Sequence, residues 1–361
     1  MRAAVLRESG RGEIELRDDV TALDPGPEEV KIRIRATGVC HSDLSLISGE
    51  LPGGGGAMIL GHEGAGEVIE VGNQVTAVAP GDHVVVNWIP ACGQCEDCRN
   101  RQVHLCMGFM ENLFSKHRFE IGGTPAFGMA GTGTWAEEMV VPWQAAIKID
   151  PAFPFDQAAL LGCCVPTGVG AVLNTGSVRP GDRVAVIGLG GVGLSAVQGA
   201  RLAGATSIVA VDPARHKHAL AARLGATQTI TPEEAEDTKD LLTGGRGFDH
   251  VFEAVGRSAT VRHAWQLTRR GGDVVVIGAG APDDPLDIST YELLFASRNI
   301  KPSVYGESDL RRDLPKLIEL ARSGYLDIES LISARVRFED LNDAVTALTK
   351  GEVVRQVVVF D

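Results

Sequence analysis

Seven cysteines and one histidine–glutamate pair offer most of the metal chemistry available to this sequence. Four of the thiols, Cys92, Cys95, Cys98 and Cys106, share one short polar stretch, separated by two, two and seven residues. Four thiolates that close can complete a tetrahedron around Zn²⁺ with no open position, so the metal would be structural rather than catalytic. The competing readings are free surface thiols or a redox pair. Exposed reactive thiols are rarely kept without a purpose, and the spacing matches none of the ferredoxin patterns. The other thiols lie apart: Cys40 in Gly38-Val39-Cys40-His41-Ser42-Asp43, and Cys163 and Cys164 in Gly162-Cys163-Cys164-Val165-Pro166-Thr167-Gly168. His62 and Glu63 stand in Gly61-His62-Glu63-Gly64-Ala65-Gly66. Two thiolates and one imidazole make a three-ligand zinc site with a fourth position for water or substrate. Taken singly, each of these residues is equally well a small buried hydrophobe or a satisfied core polar group.

A second constellation is glycine-based. Gly188-Leu189-Gly190-Gly191-Val192-Gly193 follows the apolar run Val184–Ile187 and opens a helical pattern through Leu194, Ala196, Val197 and Ala200. G-x-G-x-x-G between a strand and a helix is the dinucleotide-binding fingerprint. Gly188 would permit the tight turn, Gly190 the approach of backbone to a pyrophosphate, and Gly193 close helix–strand packing. The helix N-terminus would face the phosphates. Asp212 ends the next apolar run, nineteen residues after Gly193. A carboxylate there accepts hydrogen bonds from ribose hydroxyls and repels a 2′-phosphate, which favours NAD over NADP. The neighbouring Arg215, His216 and Lys217 pull the other way.

The elements that must position these groups change texture near residue 151. Before it, Val30–Ile34 alternates at period two. Gly64–Val71, Val84–Val86 and Met139–Val141 are further strands between turn residues, a β-rich half of barrel or sandwich type. After it, small-residue helices alternate with the apolar strands Val184–Ile187, Ile208–Val211, His250–Phe252 and Val274–Ile277, an α/β pattern with a parallel sheet buried on both faces. Leu310–Arg322 reads as a helix and Val353–Phe360 as a strand that could return to the first half. With 361 residues, two domains are expected. Forty-four glycines lacking a three-residue period exclude collagen. A net charge of −13 disfavours nucleic acid as a partner. No apolar run reaches the roughly 18–20 residues of a membrane span, and Met1–Leu6 followed at once by Arg7 and Glu8 is not a secretory leader. A cytoplasmic protein without membrane contact is the expectation.

Together the G-x-C-H-S-D motif at 38–43, G-H-E-G-A-G at 61–66, the four-cysteine loop and the glycine fingerprint resemble the zinc-dependent alcohol dehydrogenases of the medium-chain dehydrogenase/reductase family. The likeness runs along essentially the whole chain, with an actinobacterial-like flavour. It implies a GroES-like catalytic domain over 1–163 and 300–361 carrying both zinc sites, and a Rossmann NAD-binding domain over 164–299. It implies Cys40, His62 and Cys163 as catalytic zinc ligands, Cys163 being preferred to Cys164 because it stands four before Thr167. Cys92, Cys95, Cys98 and Cys106 would hold the structural zinc. Asp43 would orient His62, and Glu63 would lie near the metal. Ser42 would accept the alcohol proton, and His41 and Arg355 would face the cofactor phosphates. Gly188, Gly190, Gly191, Val192, Gly193, Asp212 and Thr167 would complete the NAD site.

For the substrate, the resemblance places Trp88 and Trp135 on one side of a pocket and Ala279 and Val304 on the other. That suits a primary alcohol with a bulky apolar or aromatic tail, oxidised reversibly to the aldehyde. Ser45 stands where several relatives continue the proton relay with histidine, and Pro302 where relatives often carry glycine. Leu51 and Met110 replace the acidic residue and arginine of the glutathione branch. Asn87-Trp88 and Tyr305-Gly306-Glu307 look similar to mycothiol-linked relatives and to relatives that hold their cofactor tightly, so a thiol–formaldehyde adduct or a permanently bound NAD is the alternative. A non-catalytic, zinc-stapled NAD-binding protein is the alternative of another class. A homodimer or homotetramer is expected from the same resemblance.

Overall fold

The computed structural model describes residues 1–10, 12–53, 55–109 and 116–360. The chain divides into two compact units. Met1–Cys163, Asp309–Leu317 and Ile332–Asp361 form one; Cys164–Ser308 and Ile318–Leu331 form the other.

The first unit is built on the strand Glu29–Val39. Its alternation places Val30, Ile32 and Ile34 in the core and leaves Lys31, Arg33 and Arg35 facing outward. Gly64–Val71, Glu138–Pro142 and Arg355–Val359 all pair with it antiparallel. The sheet runs from Ala146–Lys148 through His83–Val86, Gly64–Val71, Glu29–Val39 and Arg355–Val359 to Ile332–Arg337. Because Gln356 lies opposite Val39, the C-terminal strand begins next to the loop that carries Cys40. A second mixed sheet contains Ala3–Leu6, Met58–Ile59 and Thr124–Gly128. The core includes Ile32, Ile34, Phe119, Trp135 and Met139, all without exposed surface or nearly so.

The second unit contains a parallel sheet in the order Gln228–Ile230, Ser207–Val211, Arg183–Ile187, Phe248–Glu253, Thr268–Val276 and Asn299–Pro302. Strands buried on both faces need no alternation, which is why Val184–Ile187 and Val209–Val211 read as unbroken apolar runs. Parallel pairing also aligns the strand ends: Ile187 stands opposite Val211 and Glu253, so the segments that follow them emerge along one edge.

The second crossing differs from the boundary expected at 300. Asn299–Pro302 pairs with Thr268–Val276 and extends the parallel sheet, so the chain stays in the second unit to Ser308 and revisits it over Ile318–Leu331. Pro302 fits because an edge strand tolerates a missing N–H donor. Tyr305, Gly306 and Glu307 then take φ of 55°, 63° and 50°, a left-handed run unusual for tyrosine and glutamate. A Cβ on Gly306 would lie 2.5 and 2.6 Å from the carbonyl oxygens of Pro166 and Thr167, so only glycine permits that approach. No helix among the described residues is long and apolar enough to cross a membrane.

Candidate active site and metal centres

The four-cysteine segment folds around its own sulfurs. Backbone N–H groups of Cys92, Cys95 and Cys98 donate to the Sγ atoms of Cys106, Cys92 and Cys95 at 3.3, 3.3 and 3.5 Å. The amides of Gln94 and Cys95 hold the Cys92 thiol down to about 6. Cys92 and Cys98 sulfurs lie 4.0 Å apart, and those of Cys95 and Cys106 3.9 Å apart. A disulfide needs about 2.05 Å, whereas the edge of a Zn–S₄ tetrahedron is roughly 3.8 Å for Zn–S near 2.3 Å. The sulfurs fit a closed zinc site.

The second cluster gathers Cys40, His62, Glu63 and Cys163, all buried, with donor atoms within 4.8 Å of one another. Cys40 precedes the helix His41–Ser48, and His62 and Glu63 precede the strand Gly64–Val71. Cys163 follows the helix Phe155–Leu160. A Cβ on Gly162 would come 2.9 Å from Val86 O, so glycine is what lets that turn reach the sheet.

Asp43 links the first two loops. Wholly buried, it accepts the Cys40 N–H on Oδ2 at 2.9 Å and the Gly61 N–H on Oδ1 at 3.0 Å. His62 Nδ1 faces the same Oδ1 at 3.7 Å, which leaves Nε2 for the cluster. Hydrogen bonding to Cys163 and the charges of Arg355 and His62 hold the Cys40 thiol well below its usual value against the effect of burial. A soft donor pair plus imidazole suits zinc.

Glu63 brings a carboxylate into the cluster, and its neighbours make the room. A Cβ on Gly38 would lie 2.1 Å from Glu63 Oε2. Burial pushes the Glu63 carboxyl up to about 7, with Arg355 opposing the rise. Arg355, expected at the cofactor phosphates, is itself buried here: Nη1 donates to Val39 O at 2.9 Å and Nη2 stands 3.6 Å from Glu63 Oε1. Ser42 Oγ lies 3.7 Å from Cys40 Sγ, and His41 is exposed.

Of the expected pocket residues, Trp88 is half-buried and packs edge-on to His62, with ring centroids 6.1 Å apart, and to Phe109 at 5.7 Å. Trp135 stands elsewhere, in the core without exposed surface. Its Nε1 donates to Gly38 O at 3.0 Å, and a Cβ on Gly61 would meet its ring at 2.3 Å. The indole supports both ligand loops from below, a role the sequence signalled only through the two glycines. Ala279 and Val304 belong to the other unit, Ala279 beside Gly256 and Val304 47 % exposed. Leu51 packs against the first core; Met110 lies outside the described residues.

In the second unit the fingerprint residues meet at the edge where the parallel strands end. Gly188 has φ 91° and Gly190 has open space where a side chain would stand. A Cβ on Gly193 would lie 1.7 Å from Gly188 O, so the helix Gly191–Leu202 approaches too closely for any side chain there. Val192 lies on the first turn of that helix. Asp212 Oδ2 accepts Leu189 N–H at 2.7 Å and Oδ1 accepts Ala214 N–H at 2.8 Å, so the acid braces the turn it follows. Lys217 Nζ stands 3.7 Å from Asp212 and Arg215 is paired with Glu234 at 2.7 Å. Thr167 is buried on the helix Cys164–Gly170, where a Cβ on Gly168 would strike Val192 O at 2.2 Å. An open Gly190 above a helix N-terminus and a buried acid beside it suit a dinucleotide.

Replacing Asp43 by alanine would leave the Cys40 and Gly61 amides buried without acceptors, at roughly 1–3 kcal/mol each. The expected outcome of Asp43→Ala is loss of one of two bound zinc ions by elemental analysis, the four-cysteine site keeping its own. Retention of both would contradict the assignment of Asp43 as the tie between the loops.

Comparison with known proteins places this geometry. Residues 26–151 match the model of the alcohol dehydrogenase GroES-like domain, and 191–323 that of the zinc-binding dehydrogenase domain. An S-(hydroxymethyl)glutathione dehydrogenase of Escherichia coli is 38% identical over 350 residues, covering 94% of this chain and 95% of its own. The structure of an alcohol dehydrogenase zinc-binding domain protein from Burkholderia ambifaria superposes with a TM-score of 0.91 at 31% identity, covering 100% and 98% of the two chains. That of benzyl alcohol dehydrogenase from Acinetobacter calcoaceticus gives 0.92 at 27%, covering 100% and 99%. The chain therefore belongs to the zinc-dependent alcohol dehydrogenases of the medium-chain family, NAD-dependent oxidoreductases with a GroES-like and a Rossmann-type domain.

Proposed function

We propose that this dehydrogenase oxidises a primary alcohol with a bulky apolar or aromatic tail to the aldehyde, reversibly, with NAD. The observation that carries the reading is the buried Cys40–His62–Cys163 cluster with the Trp88 indole edge-on to the imidazole. Zinc bound by these three ligands supplies a Lewis acid that lowers the pKa of an alcohol hydroxyl, and NAD supplies the hydride acceptor. The chain does the rest. Ser42, two residues from Cys40 at the start of its helix, relays the hydroxyl proton: Oγ accepts it while the serine's own hydroxyl proton passes outward to water or a ribose hydroxyl. Asp43 holds the imidazole side of the cluster, and Glu63 lies close to the metal position, where it takes part in ligand exchange. Trp88 presents an apolar, aromatic wall. Gly188, Gly190, Gly191, Val192, Gly193 and Asp212 hold the dinucleotide, with Thr167 close behind the fingerprint helix. His41 and Arg355 are assigned to its phosphates by the family resemblance.

A thiol–aldehyde adduct is the second reading, favoured by the 38% identity to a relative named for such a substrate. Leu51, which replaces an acidic residue of that branch, weighs against glutathione itself. Initial rates of NADH formation decide between them. The expected result is turnover with NAD and benzyl-type alcohols, at least tenfold above ethanol and above NADP, reduced roughly 10²-fold or more by Ser42→Ala. Turnover only with formaldehyde plus a thiol would replace the proposed substrate. No turnover in protein loaded with two zinc ions would overturn the reading.

The same reading makes the enzyme a homo-oligomer, with a dimer as its unit. Tyr291, Leu294 and Phe295 are 71, 69 and 57 % exposed on one short helix, beside Ile300 on the terminal strand of the parallel sheet. Concentrated apolar surface beside an open strand edge suits a second copy, edge to edge about a two-fold axis. Sedimentation velocity is expected to show a dimer or its multiple, and Leu294→Asp with Phe295→Asp a monomer. An unchanged assembly in that variant would exclude this face.

A further inference from the structure

Among the described residues of the Rossmann-type unit, Glu253 is the carboxylate buried most completely, and neither the fingerprint nor the zinc chemistry uses it. Glu253 ends the strand Phe248–Glu253 and has no exposed surface. Its Oε1 accepts three hydrogen bonds: from Val255 N–H at 2.8 Å, Gly256 N–H at 2.9 Å and Thr260 Oγ1 at 2.7 Å. Its own carbonyl accepts Ile277 N–H at 2.8 Å and Gly278 N–H at 3.1 Å. Side chain and backbone of one residue thus hold two successive loops at the edge where the strands end.

Those loops abut the glycine turn with no slack. Ala254 N–H donates to Ile187 O at 2.9 Å, on the residue before Gly188. A Cβ on Gly188 would lie 2.7 Å from Val255 Cγ2. One on Gly278 would lie 2.1 Å from Gly256 N, and one on Gly256 2.7 Å from Ala279 O. Val255 keeps 44 % of its surface exposed beside the turn. Ligands of open parallel sheets bind outside the carboxyl ends of the strands, so a shift of Ala254–Gly256 by an ångström moves an apolar wall into, or away from, the place a dinucleotide takes.

We propose that Glu253 is a positioning residue for NAD: by gathering the Val255 and Gly256 amides on one oxygen it fixes the loop that forms the wall beside Gly188. The proposal rests on the NAD-binding reading above. What counts is an acceptor, not a charge. Burial pushes the Glu253 carboxyl above the ordinary range while its three donors oppose the rise, and glutamine offers the same Oε1 acceptor without a charge.

The test uses the full-length, zinc-loaded enzyme with three variants. Glu253→Ala is expected to weaken NAD binding by tenfold or more in a fluorescence titration and to raise KM for NAD, with KM for the alcohol and zinc content unchanged. Glu253→Gln is expected to stay within about threefold of the parent. Hydrogen exchange at Val255 and Gly256, measured without cofactor, is expected to quicken at least tenfold in the alanine variant and to stay slow in the glutamine variant. If the alanine variant does not fold, Thr260→Val removes the hydroxyl donor to Glu253, together with the Oγ1 contacts to the Arg257 backbone, and is expected to weaken NAD binding two- to fivefold. Parent-like NAD binding in Glu253→Ala, or in Thr260→Val where that variant stands in, overturns the proposal. So does a glutamine variant as weak as the alanine one. A parent that does not bind NAD refutes the cofactor reading instead, and the exchange measurement still decides whether Glu253 anchors the loop.

Discussion

The open metal centre depends on a single buried carboxylate. Asp43 ties the backbone of Cys40 to that of Gly61, and so sets the distance between two ligand loops that reach the site from different elements. Its two oxygens spend their capacity on main-chain donors. The 3.7 Å approach of His62 Nδ1 follows from where the loops then lie. The strand pairing of Thr37 with Gly64 and the Gly38 N–H bond to Glu63 O at 2.8 Å bring the two segments side by side, and Asp43 fixes the loop backbones beyond that pairing. A metal site with a vacant coordination position requires ligand geometry imposed from outside the metal, and Asp43, Trp135 beneath the loops and Gly38 beside Glu63 impose it.

The two zinc sites solve opposite problems. The four-cysteine lobe is local: its backbone amides point at its own sulfurs, and a metal completes what the turn geometry prepares. The open centre is non-local, drawing on residues 40, 62 and 163, and it needs the sheet to exist first. The strand Arg355–Val359 contributes late in the sequence by bringing Arg355 beside Glu63, which tempers a buried acid that would otherwise stand alone. Desolvation pushes that carboxyl above the ordinary range, and the guanidinium opposes the rise.

How legible all this is from sequence follows the same division. The lobe's four cysteines are close enough that spacing alone indicates a closed site. The fold class is legible because half-buried strands alternate, as in Val30–Ile34, and doubly buried ones do not, as in Val184–Ile187. The open centre is another matter, since Cys40, His62 and Cys163 are individually ordinary and gain meaning only from resemblance. Trp135 shows why pocket residues resist such reading: a large indole looks the same in sequence whether it faces a substrate or a core. The glycines at 38 and 61, on which the indole packs, are the trace of the contact in the sequence. The chain's stay in the second unit to Ser308 is hidden in the sequence because Asn299–Pro302, with a proline, does not read as an extension of a sheet. Glu253 gave no motif at all; a carboxylate becomes conspicuous only when three donors are seen to converge on one oxygen.

Everything above rests on two zinc ions held in chemically distinct sites, one all-sulfur and one mixed and open. Zinc K-edge X-ray absorption on the two-zinc enzyme tests it most directly. The predicted average shell is about three sulfurs near 2.3 Å and one nitrogen or oxygen near 2.0–2.1 Å per zinc. An all-sulfur shell, or one dominated by nitrogen and oxygen, would contradict it.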